Sequence, residues 1–318
     1  MPHELLDADV QGPIAVLRLN RPHKRNALSD GLVLELRRTF ESLPAGVRAA
    51  VIDGEGPHFC AGLDLSELQE RDAGQGLHHS RMWHAALERV QFGPVPVIAA
   101  LHGAVVGGGL ELGDLRERDP GQGLLHSRMW HQALDAIQYG PAPVIAALHG
   151  AVVGGGLELA AACHVRVADE TAYYALPEGA RGIFVGGGGS VRIPKLIGAA
   201  RMADMMLTGR VYGAAEGERA GFAQYLVPPG AALQRAMELA EKVVGNAPLS
   251  NYAITQALPR IAEQAADHGY LTEALMTAVT QSAPDARQRV RDFLEGRAAR
   301  VGVPPSHSPH PEAGDKKP

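Results

Sequence analysis

A stretch of 45 residues occurs twice in this chain, 47 positions apart. Leu68–Leu112 and Leu115–Leu159 agree at 36 of the 45 aligned positions. The run Pro96–Leu112, PVIAALHGAVVGGGLEL, returns unchanged as Pro143–Leu159. Any fold must therefore accommodate two nearly identical segments in direct succession. A solenoid needs about three stacked units or more, so two copies do not make one. The mismatches Phe92/Tyr139, Val90/Ile137 and Glu88/Asp135 are conservative, which points to an older duplication or to a splice between two close relatives. Without one copy, the 318 residues would be 271.

Around the repeat, apolar runs alternate with amphipathic ones. Ile14–Leu19 and Ala49–Asp53 read as strands, and Ser29 as the N-cap of a helix over 31–43. Each copy reads as a helix (79–90, 126–137), a Gly-Pro break, an apolar strand (97–101, 144–148) and a Gly-rich turn into a second helix. Strands at 165–168 and 172–175 follow, then a glycine loop at 186–189 and a helix at 191–197. Helices are expected over 233–244, 249–266, 270–281 and 286–297. Strands alternating with helices imply an α/β fold with a largely parallel sheet. The domain expectation is a core at 1–230, a helical region at 231–300 and a disordered tail at 301–318.

Composition narrows the function classes. A net charge of −5 does not suit a nucleic-acid backbone binder. Two cysteines, Cys60 and Cys163, make no disulfide framework, which fits the cytoplasm. No apolar run reaches the ~18 residues of a membrane-spanning helix, and no His or Cys spacing suggests a metal.

Three glycine-rich turns could bring backbone N–H groups to a ligand: 60–64, 154–156 with its copy 107–109, and 186–189. None is a P-loop or a dinucleotide fingerprint. Two such turns with converging N–H groups would form an oxyanion hole. Glu158 lies two residues into an apolar helix start, and Glu178 follows Leu176-Pro177 at a strand end. Acids in apolar surroundings acquire raised pKa values, which suits general acid–base work. The plainer readings are a first-turn helix glutamate and an ordinary turn acid. Cys60 reads as a buried thiol rather than a nucleophile. Lys24 and Arg25 read as solvated, or as contacts to a substrate phosphate.

Four motifs occur in order: Asn20-Arg21-Pro22 with Asn26-Ala27-Leu28; Phe59-Cys60-Ala61-Gly62-Leu63-Asp64-Leu65; His149-Gly150 with Gly154-Gly155-Gly156-Leu157-Glu158; and Pro177-Glu178 with Gly182-Ile183 and Gly187-Gly188-Gly189. Together they resemble the crotonase superfamily, the enoyl-CoA hydratase/isomerase group, over roughly residues 10–298. That resemblance implies a crotonase-like spiral of ββα units with a C-terminal helical region, assembled as a homotrimer or homohexamer. It implies an acyl-CoA thioester as substrate with no further cofactor. The thioester oxygen would be held by the N–H groups of Leu63 and Gly155, and Glu158 and Glu178 would act on a water and on the substrate α-carbon. Substrate and CoA contacts would come from Lys24, Arg25, Ala27, Ala61, Asp64 and Leu65. Having both acids favours a hydratase over a dehalogenase or an isomerase; the alternatives are an enoyl-CoA isomerase, a hydratase-lyase on an aromatic acyl-CoA, or a non-catalytic CoA-thioester-binding or assembly protein of the same fold. Val185 stands where many members have Pro, and Gly296 where many have Lys.

The repeat separates Leu63 from Gly155 by 92 positions, against the 45 from Leu63 to Gly108 that the family spacing resembles. Only one copy is expected to fill the strand-and-helix slot. The second has the better claim, because its helix runs on through Glu158-Leu159-Ala160-Ala161-Ala162 into the next strand. Gly108 and Glu111 are expected in a peripheral insertion.

Overall fold

Short apolar runs closed by Gly, Pro or polar turns become the strands of this protein. The computed structural model describes residues 5–56, 58–60, 64, 81–83, 85, 86, 89, 95, 97–99, 120–140 and 143–297. The expected tail at 301–318 lies outside them. Strands β1 (Leu6–Gln11), β2 (Ile14–Leu19), β3 (Ala49–Gly54), β4 (Val97–Ala99), β5 (Ile145–Leu148), β7 (Val165–Asp169) and β10 (Tyr225–Val227) form one sheet in that order. Only the β1–β2 pair at its edge is antiparallel. A second, small sheet holds β6 (Ala151–Val153), β8 (Tyr173–Ala175) and β9 (Tyr212–Gly213).

The spiral is visible in how the chain passes between the sheets. After β5, the two residues His149-Gly150 turn it into β6, and helix α3 (Gly155–Ala162) follows at once. β7 and β8 repeat the passage between the sheets, with β7 parallel to β5 and β8 parallel to β6.

Both faces of the large sheet's interior are covered, so β3 and β5 are continuous apolar runs rather than alternating ones, whereas the edge strand β1 is exposed beyond Leu6. β5 is buried at all four positions. Ala146 and Leu148 face a cluster with Leu157, Ala160, Tyr174, Ile193, Met205 and Phe222. Ile145 and Ala147 face Ala232, Ala236, Leu239 and Ala240 of helix α7 (Ala232–Gly245). That helix, placed by the sequence at the start of a separate C-terminal region, thus belongs to the core packing. A third cluster joins β1–β3 to α1 (Asp30–Glu41), whose N-cap Ser29 Oγ accepts the N–H of Leu32. The expected helix over 249–266 is broken in two, α8 (Pro248–Gln256) and α9 (Leu258–Ile261), because Pro259 has no N–H to continue the ladder. Helices α5 (Ala199–Thr208) and α6 (Ala214–Ala220) precede α7, and α10 (Ala266–Ser282) and α11 (Pro284–Leu294) follow α9.

The expectation that one copy alone enters the sheet is overturned. β4 comes from the first copy and β5 from the second, and they are neighbours. Ala99 pairs with Ala146, its own counterpart 47 positions on. A parallel ladder has evenly spaced hydrogen bonds, so an apolar strand can lie beside its duplicate without conflict of face or register. Gly108 and Glu111 lie outside the described residues.

Candidate active site

The second copy builds its helix as the sequence suggests. Gly154 caps α3 with φ +56° and ψ −123°, a combination that strains any residue with a Cβ. A Cβ at Gly154 would stand 2.9 Å from Oε1 of Glu178, so this turn runs directly against the second acid. Gly155 opens the helix, where first-turn N–H groups have no acceptor within the helix.

Glu158 is buried on α3. Its Oε1 accepts the N–H of Gly187 and of Gly189, each at 2.8 Å. A Cβ at Gly189 would meet the same carboxylate at 2.8 Å, so the glycine loop is shaped to let it in. Burial pushes the Glu158 carboxyl above the usual range, while the loop N–H groups and Arg192 pull it back. Glu178 is also buried, just after β8. Burial raises its pKa, and the charge of Glu158 raises it further. Its Oε2 has no hydrogen-bond partner among the described residues. Two buried carboxyls within electrostatic reach of each other thus have different surroundings: Glu158 is held by the donors of the Gly187–Gly189 loop, and Glu178, against the Gly154 turn, has an oxygen to spare.

Helix α2 (Pro120–Gln138), from the second copy, lies along the loop. Ser127 Oγ donates to the Gly186 carbonyl at 2.6 Å. Arg192, on helix α4 (Gly189–Ile197), donates to the Gly187 carbonyl at 2.9 Å, to Gln138 Oε1 at 2.7 Å and to Asp135 Oδ1 at 2.5 Å. Sequence reading missed these residues. The available signal was the spacing of Ser127, His131 and Asp135, four apart on one helix face.

Of the other expected contacts, Ala61, Leu63 and Leu65 lie outside the described residues. Asp64 is buried, and its Oδ2 accepts from Arg21 Nη2 at 2.7 Å. Arg21 also donates to the Ala27 carbonyl, and the Asp64 N–H donates to the Leu28 carbonyl. Asn26, fully buried at φ +56°, bonds the carbonyls of Glu55 and His58. These bonds fasten the turn bearing exposed Lys24 and Arg25 to Glu55, His58 and Asp64. The Cys163 thiol is pushed up to about 12 by burial and is no nucleophile. Among the described residues, no group of three His, Cys, Asp or Glu is placed to hold a metal. A cavity of about 510 Å³ at the carboxyl ends of β3, β5 and β7 is lined by Arg18, Asp53, His149 and Asp169, not by the paired glutamates. Its charges are answered locally: Arg18 pairs with Asp53, and Asp169 takes the N–H groups of Thr171 and Gly230.

The family profile for enoyl-CoA hydratase/isomerase matches the chain twice, at residues 9–115 and 113–302. A protein of Thermus thermophilus named "Putative enoyl-CoA hydratase" is 32% identical, over 91% of this chain and 98% of that one. The 2,3-dehydroadipyl-CoA hydratase of Escherichia coli is 28% identical, over 90% of this chain and 94% of its own length. A crystal structure from Rhodopseudomonas palustris, titled as a "putative enoyl-CoA hydratase", is 50% identical with a TM-score of 0.64, over 92% of this chain and 95% of that one.

Proposed function

The chain belongs to the enoyl-CoA hydratase/isomerase family, enzymes of the lyase and isomerase type, and on that premise we propose that it adds water across the 2,3 double bond of a 2-enoyl-CoA thioester. One observation carries this reading above an isomerase: two buried glutamates, not one, lie close enough for the charge of Glu158 to act on Glu178.

Their surroundings suggest a division of labour. Hydrogen bonds to a carboxylate favour its charged form, and a neighbouring negative charge disfavours it. Glu158, held by two N–H donors, is therefore the base. Glu178, beside the charge of Glu158, is the acid. Glu158 takes a proton from water as its oxygen bonds to C3, and Glu178 gives a proton to C2. The N–H groups of Gly155 and Leu63 stabilise the negative charge that develops on the thioester oxygen. One water is consumed, and no cofactor is needed beyond the CoA carried by the substrate. Lys24, Arg25, Ala27, Ala61, Asp64 and Leu65 are proposed to contact that substrate, with Asp64 also bound to Arg21. The two free cysteines agree with a cytoplasmic setting, and among the described residues no helix is long and apolar enough to cross a membrane.

The decisive assay is crotonyl-CoA turnover, followed by loss of the absorbance of the conjugated thioester. Hydration of crotonyl-CoA or a longer 2-enoyl-CoA is expected. Double-bond migration without hydration would make the chain an isomerase, and tight acyl-CoA binding without turnover would make it a binding protein.

A further inference from the structure

The glycine loop holds Glu158, but its own position needs explaining, because four consecutive glycines at 186–189 have little intrinsic preference for one conformation. Two polar contacts from outside the loop fix it. Ser127 Oγ bonds the Gly186 carbonyl, and Arg192 Nη1 bonds the Gly187 carbonyl. Arg192 is 6% exposed, and its remaining donors are committed to Gln138 and Asp135 on α2. A planar guanidinium with three such partners has one orientation. The peptide whose carbonyl it fixes follows Gly187, so Gly187 N–H on one side and Gly189 N–H on the other both reach Glu158 Oε1.

We propose that Arg192, oriented by Asp135 and Gln138, is a positioning residue for the Glu158 carboxylate: it sets the glycine loop so that both loop N–H groups hold Oε1 and Oε2 is presented to the reacting water. The inference rests on the hydratase reading for the water, and on geometry alone for the held carboxylate. It also gives the second repeat copy a task, since α2 supplies the anchor of Arg192. The charged and titratable groups around Glu158 are Glu178 beyond the Gly154 turn, Arg192 on α4, Asp135 on α2 behind it, and His131 beside Gly188.

Three variants of the full chain test this. Arg192→Lys keeps the charge without the planar fork, Arg192→Gln removes both, and Asp135→Ala removes an anchor whose side chain is 54% exposed. Folding is followed by circular dichroism, turnover with crotonyl-CoA, and the Glu158 carboxyl by carbon-13 NMR titration, its signal assigned with Glu158→Gln. In Arg192→Lys, kcat should fall about tenfold to 10²-fold, the cost of a misplaced catalytic group, with KM within about twofold. In Arg192→Gln, the Glu158 titration should also move up, by about one pH unit. Asp135→Ala should give a smaller kcat loss in the same direction, with the Glu158 titration displaced. Parental kcat and parental Glu158 titration in folded variants would overturn the proposal. So would losses of kcat that merely follow the melting temperature. A parent that hydrates no enoyl-CoA would refute the hydratase reading, and the Glu158 titration would still decide the role of Arg192. If both Arg192 variants fail to fold, Asp135→Ala decides it by the same two readouts.

Discussion

Glu158 and Glu178 show how one residue type acquires two chemical characters. Both are buried and both are raised, yet one carboxylate is answered by two fixed N–H groups and the other by a neighbour of like charge. Their protons leave as a coupled pair, so kcat/KM should follow a bell whose acidic limb lies above the ordinary 4.5 of a glutamate. Glu158→Gln and Glu178→Gln should each reduce hydration by ~10²-fold or more while acyl-CoA binding survives, because the thioester is held by backbone donors. Near-parental turnover in either variant would refute the two-acid assignment. Stability should move in the opposite sense. An acid whose folded pKa is raised costs nothing below its unfolded value and progressively more as the pH rises through the folded one. Glu178→Gln should therefore melt above the parent at pH 8, with the gain disappearing near pH 4.5. An equal gain at both pH values would mean that charge burial is not the cause.

Among the elements, the repeat is the instructive case. β4 meets β5 at one register pair, Ala99 with Ala146, whereas β5 meets β7 at four. β3 and β5 are themselves parallel and could pair directly. Deleting Leu68–Asp114 is thus expected to leave a folded, active chain whose Leu63–glycine-turn spacing is the 45 positions that the family spacing resembles. An insoluble or inactive deletion would show that β4 has become essential. Since Glu158 is the copy that faces Glu178, Glu111→Gln should leave activity intact where Glu158→Gln abolishes it. The reverse result would assign the site to the first copy. A second joint is pH-sensitive. His164 Nδ1 accepts the Val144 N–H at 3.0 Å and Nε2 meets the Gln138 carbonyl at 3.1 Å, so the neutral ring pins β5 to the end of α2. Burial lowers its pKa below the ordinary 6.5. Its contribution is complete above pH 6.5 and is lost as the pH falls below that value. The melting temperature should decline between pH 7 and pH 5, and the decline should be shallower in His164→Gln. Parallel declines would exclude His164 as the source.

At the scale of the whole molecule, the C-terminal helices carry apolar groups that the single chain does not cover. Tyr270, Leu271 and Leu275 of α10 are 60–70% exposed, and Phe293 and Leu294 of α11 more than 60%. Such a surface marks an interaction site. The proposed assembly is a homotrimer or homohexamer, built on these helices rather than on α7, which the core already uses. Light scattering at micromolar concentration should give three or six times 33.6 kDa. A monomer mass would refute it.

Local chemistry made much of this readable from sequence. Ile14–Leu19, the Ser29 cap and the Gly154 turn into a helix depend on near neighbours in the chain, and each lies where hydrophobic period or capping preference puts it. The motif order then pointed to the family. What sequence could not reveal depends on contacts between distant residues. Two identical apolar strands have the same propensity, so nothing local said that both would enter the sheet; only the tertiary pairing places β4 between β3 and β5. The task of Arg192 was hidden because its partners lie 54, 5 and 57 positions away. Asp64 was legible as a site residue, but its bond to Arg21, 43 positions earlier, was not. A side chain's type limits which bonds it can make, and only the folded chain decides which partner comes within reach.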